Sequence, residues 1–275
     1  MVDMTATGVI VSGGAKLYSD TSTPWSPASD ITAALWLDAS DTSNYTESFN
    51  ELTGITDKAG NFTVTLDGTP TIVSASLNSL NVWDFNGNES LVTNSGPWAS
   101  SGNHWAIGIF QWHSTDSTKD SFWSADGSKT YAVSSSRNDN AWDGEIDYDG
   151  SNNISSGRAK NDFTVGINSS TWTIISIVFN KTGNQIFGRL NGTTRTDVDP
   201  YSNSMNTNAS DVRMMRNRSN QKLNGRMAEY FHVAGAPGTG GTDITDVEKA
   251  EGYIAHKWGL ESNLPVSHPY KSSAP

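Results

Sequence analysis

From residue 35 onward the chain alternates short apolar or β-branched runs with clusters of Gly, Asn, Asp and Ser. The runs fall at 62–66, 82–85, 105–112, 131–133, 172–179, 186–190, 212–215 and 227–233, each of strand length and rich in β-branched or aromatic residues. Among them stand seven Asp-Gly or Asn-Gly pairs, at 67–68, 86–87, 126–127, 143–144, 149–150, 191–192 and 224–225. Such pairs supply the positive φ that tight hairpins need, so antiparallel sheets are predicted. The sharpest hairpin joins 185–190 to 193–198 through Asn191-Gly192, and the nearly continuous apolar run at 172–179 predicts a central strand buried on both faces.

One segment has helical period. Val247, Ala250, Ile254 and Trp258 recur at helical spacing, Thr245 and Glu248 stand at capping-box spacing ahead of them, and Gly259 follows where a left-handed C-terminal residue belongs. Residues 1–30 lack any period and predict an extended N-terminal arm, leaving residues 31–275 as one domain. The expected fold class is all-β, a two-sheet antiparallel sandwich with one C-terminal helix.

Composition narrows the function. Ten Trp, nine Phe and eight Tyr must supply much of the core, and the absence of Cys removes disulfides, thiolate nucleophiles and Cys-ligated zinc. A formal charge of −11 opposes phosphate backbones and anionic lipid, so neither nucleic acid nor membrane insertion is expected. The short apolar run Val9-Ile10-Val11 has no basic stretch ahead of it, and no secretory leader is expected. The five His residues show neither His-x-His nor His-Glu-x-x-His spacing, no Gly-x-Ser-x-Gly elbow is present, and the Gly cluster at 235–241 lacks the Lys-Ser/Thr of a phosphate loop.

Four segments resemble the concanavalin A-like, laminin-G-like jelly-roll modules, above all copies in bacteriophage virion proteins and bacterial surface proteins. They are Leu35-Trp-Leu-Asp-Ala-Ser-Asp41, the turn Asp57-Lys-Ala-Gly-Asn61, Trp83-Asp-Phe-Asn-Gly-Asn-Glu-Ser-Leu91, and Gly252-Tyr-Ile-Ala-His-Lys-Trp-Gly-Leu260 with Leu264-Pro265 and His268-Pro-Tyr270. The likeness spans about residues 30–270. Two departures, Ile55-Thr56 ahead of Asp57 and Phe85-Asn-Gly87 in place of Phe-Asp-Gly, concern packing and turn chemistry. The resemblance implies a concanavalin A-like jelly roll and a non-enzymatic virion protein, either a capsid decoration or a tail- or fibre-associated surface protein that binds host-surface glycan. On that reading the arm docks on other virion proteins and the chain assembles as a homo-oligomer, with a trimer suited to either location.

Three constellations carry candidate chemistry. Glu145, Asp147 and Asp149 resemble the acidic core of retaining concanavalin A-like glucanases, and their alternation places them on one face of a strand. The expected hairpin tip around them and the shorter Asp149 favour solvated acids, so no catalytic residue is assigned; a glycoside hydrolase is the alternative reading, beside a bacterial surface lectin module. Trp98, Trp123 and Trp142 lie near Gly, Ser, Asn and Asp in expected loops and are the candidates for stacking on sugar rings. No cofactor is expected, with calcium the one candidate ion, held by Asp38 with Asp41 or by Asp143 with Asp147 and Asp149.

Overall fold

A computed structural model describes residues 25–96, 103–113, 171–194, 211–216 and 222–275, the antiparallel pair Val9–Ile10 and Lys16–Leu17, and strands between 121 and 163, of whose side chains Phe122 alone is described. Two antiparallel sheets form a jelly-roll sandwich. In the large sheet the strands run in the spatial order 193–194, 185–190, 172–180, 104–112, 224–233, 80–86, 71–77, 51–55, 45–48. The small sheet orders 131–134, 121–125, 212–214, 90–93 and 64–67.

The central strand Asn224–Val233 organises the large sheet. One edge pairs with His104–Trp112 along its length; the other pairs first with Leu80–Asn86 and then with Leu35–Asp38. The change of partner falls at Ala228, which the ladder to Ile109 and Phe110 skips as a bulge. A bulge adds twist, and here it turns Glu229 toward the same face as Ala228.

Both faces of the large sheet are covered by apolar groups. Between the sheets, Leu37, Trp83, Phe85, Phe110 and Tyr230 meet Val64, Leu91, Phe122 and Met214, with the Phe110 and Phe122 rings stacked at 4.5 Å. On the outer face Trp105, Ile107, Ile174 and Phe231 pack under Val247, Ile254 and Trp258 of the helix Thr245–Trp258. Burial on both sides is why Trp172–Asn180 and His104–Trp112 read as nearly unbroken apolar runs rather than alternating ones.

Turn chemistry agrees with the sequence at several points. Asn191 and Gly192 adopt φ 48 and 76, as a two-residue hairpin requires, and Gly259 ends the helix at φ 67 with its N–H on the Ala255 carbonyl. Three expectations are corrected, the first being Asp143-Gly144, which lies within the strand Trp142–Ile146 opposite Asp162 and Asn161 instead of at a turn. Asn224-Gly225 opens a strand instead of making a turn, because the Gln111 carbonyl lies 2.4 Å from where a Gly225 Cβ would stand, leaving room only for glycine. Thr245 is inside the helix rather than its cap, since the Asp243 carboxylate, two residues earlier, accepts from its N–H at 3.0 Å and its hydroxyl at 2.6 Å. The 25–30 end of the expected arm makes a turn with Trp25 buried against Tyr253, ring centroids 5.2 Å apart.

Candidate functional site

Among the described residues, charged side chains on the outer face of the large sheet include two closed ion-pair networks and one looser row. The first network centres on Glu229, which is 0% exposed and accepts from Trp36 Nε1 at 2.8 Å, Trp258 Nε1 at 2.7 Å and Lys257 Nζ at 2.8 Å. Lys257 also reaches Asp38 at 2.8 Å, and Lys58 bridges Asp38 at 2.8 Å and Asp41 at 2.7 Å while its ammonium lies 4.0 Å from the Trp36 ring centroid. Burial pushes the Glu229 carboxyl up. Burial pushes Asp38 up as well, but the charge and hydrogen bonds of Lys257, Lys58 and Ser40 outweigh it and hold that carboxyl below its ordinary range. The neighbouring turn is built by Asp57, whose carboxylate accepts from the N–H groups of Trp36, Ala59, Asn61 and Phe62.

The second network ties the helix to the 172–180 strand, the 185–194 hairpin and the C-terminal tail. Glu251, 0% exposed, accepts from Arg189 Nε at 2.8 Å and Nη2 at 2.9 Å and from the Ser176 hydroxyl at 2.9 Å, with His268 Nε2 3.1 Å away. Burial alone would push this carboxyl up, but the His268 hydrogen bond and the Arg189 charge hold it below the usual carboxylate range. Asp38, Asp41, Asp57, Glu229 and Glu251 are therefore occupied in holding the fold.

The third group differs. Cross-strand register aligns Thr71, Asp84, Arg226, Gln111 and Trp172 on five adjacent strands, a row of about 19 Å at the usual interstrand spacing. It lies on the helix side of the sheet, because Trp83, Phe85, Met227, Phe110 and Trp112, their sequence neighbours, point into the inter-sheet core. Asp84, Arg226 and His113 are each 27% exposed, and Trp172 is half-buried. Arg226 Nε stands 3.4 Å from Asp84 Oδ1, His113 Nδ1 is 3.6 Å from the same oxygen, and Arg226 Nη1 donates a long 3.4 Å bond to Gln111 Oε1. Asp84 Oδ1 and Arg226 Nε are sealed from solvent and have no hydrogen-bond partner among the described residues.

At the opposite end of the 224–233 strand a cleft of about 690 Å³ is lined by residues that include Asp30, Asn61, Phe62, Trp105, Ala236 and Asp246. Its polar groups are largely matched already: Asn61 Nδ2 donates to the Ala34 carbonyl at 2.8 Å, Trp105 Nε1 to the Ala236 carbonyl at 3.3 Å, and Asp30 accepts from Ser26 N and the Ser29 hydroxyl.

The sequence candidates are distributed as follows. Asp38 and Asp41 are brought together, with a lysine ammonium between their carboxylates. Asp143 and Glu145 occupy the strand Trp142–Ile146, opposite Asp162 and Lys160, and Asp149 opposes Asn153 in a short pair. Trp123 pairs with Val133 and Met214, and Trp142 opens its strand opposite Phe163. The side chains of these five residues, and all of Trp98 and Asp147, lie outside the described residues. Among the described residues no group of three or more His, Asp or Glu is placed to hold a metal ion, and no helix is long and apolar enough to cross a membrane.

Sequence reasoning missed the Asp84–Arg226–Gln111 row. Each member is a polar residue flanked on both sides by residues of the inter-sheet face, so period-2 alternation does flag them singly. Their juxtaposition depends on register between strands more than a hundred residues apart.

No family model and no curated protein matches the chain. Among solved structures it is similar to domain 4 of AbnA, a GH43 extracellular arabinanase from Geobacillus stearothermophilus, in complex with arabinotriose. That match has a TM-score of 0.52 and 15% identity, covering 70% of this chain and 89% of that one. The binding domain of botulinum neurotoxin DC in complex with rat synaptotagmin II gives 0.47 at 14% identity, covering 80% of this chain and 51% of that one. The botulinum neurotoxin type G receptor binding domain gives 0.47 at 12%, covering 80% and 50%. This chain thus spans about half the length of the neurotoxin domains, and the likeness to the arabinanase domain is one of jelly-roll fold.

Proposed function

We propose that this chain is a non-catalytic carbohydrate-binding jelly-roll module displayed on a virion surface, as a capsid decoration or a tail- or fibre-associated protein. The observation that carries the binding reading is the division of charge on the outer face. Asp38, Glu229 and Glu251 are held in enclosed ion pairs and Asp41, at the rim, is closed by Lys58 at 2.7 Å, while Asp84, Arg226 and His113 form a partly exposed polar row whose charges come no closer than 3.4 Å and which is bordered by an indole ring. Polar groups beside a half-buried aromatic ring suit hydroxyl-rich ligands. The arabinotriose held by the similarly folded arabinanase domain supports the same ligand class. The virion setting rests on the resemblance of the 35–41, 57–61, 83–91 and 252–270 segments to phage modules; within it, residues 1–30 dock on other virion proteins and the chain forms a closed homo-oligomer, a trimer in the simplest case.

The test pairs binding with turnover. Full-length chain is incubated with immobilised β-glucan, arabinan and algal galactan, and both retained protein and released reducing ends are measured, alongside Glu145→Gln. Retention without release is expected. Reducing ends that appear with the wild-type chain and vanish with Glu145→Gln make it a glycoside hydrolase instead, and neither retention nor release on any polysaccharide refutes the carbohydrate reading.

A further inference from the structure

We infer that the Asp84–Arg226–Gln111 row is the sugar-contacting site, and that its ligand is a neutral glycan presenting vicinal hydroxyls; this rests on the carbohydrate reading above. A carboxylate and a guanidinium on directly opposed strand positions ordinarily close to a charge-assisted hydrogen bond of about 2.8 Å. Here the nearest approach is 3.4 Å and no hydrogen bond forms. Among the described residues the Asp84 carboxylate accepts no hydrogen bond, and the Arg226 guanidinium, with five N–H donors, makes one of 3.4 Å. Because the pair does not close on itself, Asp84 Oδ2 and the guanidinium ends, the atoms that are not sealed, keep their hydrogen-bonding capacity for a partner from outside.

The exposed surface identifies that partner. Because Asp84 Oδ1 and Arg226 Nε are sealed, the 27% of each side chain that meets solvent lies on the remaining atoms, which include Asp84 Oδ2 and the terminal guanidinium nitrogens. One face thus presents a carboxylate acceptor beside a fork of donors. Two adjacent sugar hydroxyls match this pattern, one donating to the carboxylate and the other accepting from the guanidinium. Trp172 lies next beyond Gln111 in the row and offers an apolar ring edge to the C–H face of a neighbouring sugar unit. The positions are set by the ladders of three adjacent strands, so little ordering entropy is lost when a ligand binds.

Charge selects the neutral class. Asp84 and Arg226 offset each other, the exposed Glu51 continues the register beyond Thr71 with a further negative charge, and the net charge of −11 repels sulfated or sialylated chains at long range. The partly exposed acids of the other two networks, Asp41 and Glu248, already face Lys58 at 2.7 Å and Arg189 at 3.8 Å, and the matched polar groups of the 690 Å³ cleft leave less for a ligand to satisfy.

The experiment reads a panel of immobilised neutral oligosaccharides of gluco, galacto, manno, xylo and arabino configuration, with sulfated and sialylated counterparts. It uses the full chain, Asp84→Asn, Arg226→Ala, Arg226→Lys and the remote control Lys249→Met, with thermal unfolding of each variant to verify folding. Loss of a hydrogen bond to a charged group predicts binding weakened roughly 10- to 100-fold in Asp84→Asn and Arg226→Ala. Arg226→Lys should fall between, since it keeps the charge and loses the fork, and the control should match wild type. Folded Asp84→Asn and Arg226→Ala proteins that bind as tightly as wild type overturn the site while leaving the carbohydrate reading intact. Preference for anionic glycans overturns the neutral class. A wild-type chain that binds none of the panel overturns the reading and the site together.

Discussion

Replacing Lys257 by Met tests whether the network around Glu229 holds the helix to the sheet. The substitution keeps most of the stem's length and removes the ammonium that Glu229 and Asp38 share at 2.8 Å each. Both carboxylates are enclosed, at 0% and 2% exposure, and Lys257 itself is only 19% exposed, so little solvent screening intervenes. Breaking a buried pair by deleting one partner costs about 3–5 kcal/mol, because the remaining charge is left uncompensated. Glu229 keeps its two indole donors and Asp38 keeps Lys58, which places the expected loss near the lower end, about 3 kcal/mol. For a domain of this size that is a fall in Tm of roughly 6–12 °C. Burial already raises the Glu229 carboxyl, and removal of its lysine raises it further. A carboxyl raised on folding contributes stability that is full below its unfolded value and is lost as pH rises through its folded value. The deficit of Lys257→Met relative to wild type should therefore be larger at pH 8 than at pH 5. Urea unfolding at both pH values measures this, with Lys249→Met, whose exposed contact to Asp246 is 3.7 Å, as the control expected to change by less than about 0.5 kcal/mol. A loss below about 1 kcal/mol, or a deficit that does not shrink on acidification, refutes the reasoning.

Two further outcomes follow. His104 and His232, with their rings stacked 5.2 Å apart, are fully buried; burial holds both below the ordinary 6.5, His104 well below it and His232 at about 3. Since the unfolded chain binds these protons first, stability should be full above pH 6.5 and decline as pH falls toward 3, and His232→Phe should flatten that decline in urea unfolding between pH 7 and pH 5; an unchanged slope contradicts the assignment. Gly259→Ala places a Cβ at φ 67 and 3.1 Å from Asn78 Cγ, whose amide donates to the Lys257 carbonyl at 2.8 Å, and should cost about 1–2 kcal/mol in chemical denaturation; a change within about 0.5 kcal/mol contradicts the strained cap.

What was legible in the sequence is what depends on neighbouring residues. Asn191-Gly192 needs only its own positive φ to close a hairpin, the apolar run from 172 marks a strand buried on both faces, and Gly259 marks the helix end. The same local logic failed where a distant group intervened. Asn224-Gly225 resembles a turn, yet the backbone of Gln111, more than a hundred residues away, presses on Gly225 and makes it part of a ladder. The pairing of Asp38 and Asp41 could be read from their spacing, whereas the lysines beside them, Lys58 and Lys257, come from distant segments. The Asp84–Arg226–Gln111 row was invisible for the same reason, since long-range register alone makes three ordinary polar residues into one surface. Trp123, Trp142 and Glu145 stand out in the sequence by local composition, which does not specify neighbours across a sheet.

The most direct measurement of the central claim is a crystal structure of the full chain soaked with the neutral oligosaccharide it binds best. Density for a sugar ring over the 84–226–111 row, with adjacent hydroxyls on the Asp84 carboxylate and the Arg226 guanidinium, is the result predicted. Sugar density confined to the 690 Å³ cleft beside Asp30 and Asp246, or to the strands around Glu145, contradicts it.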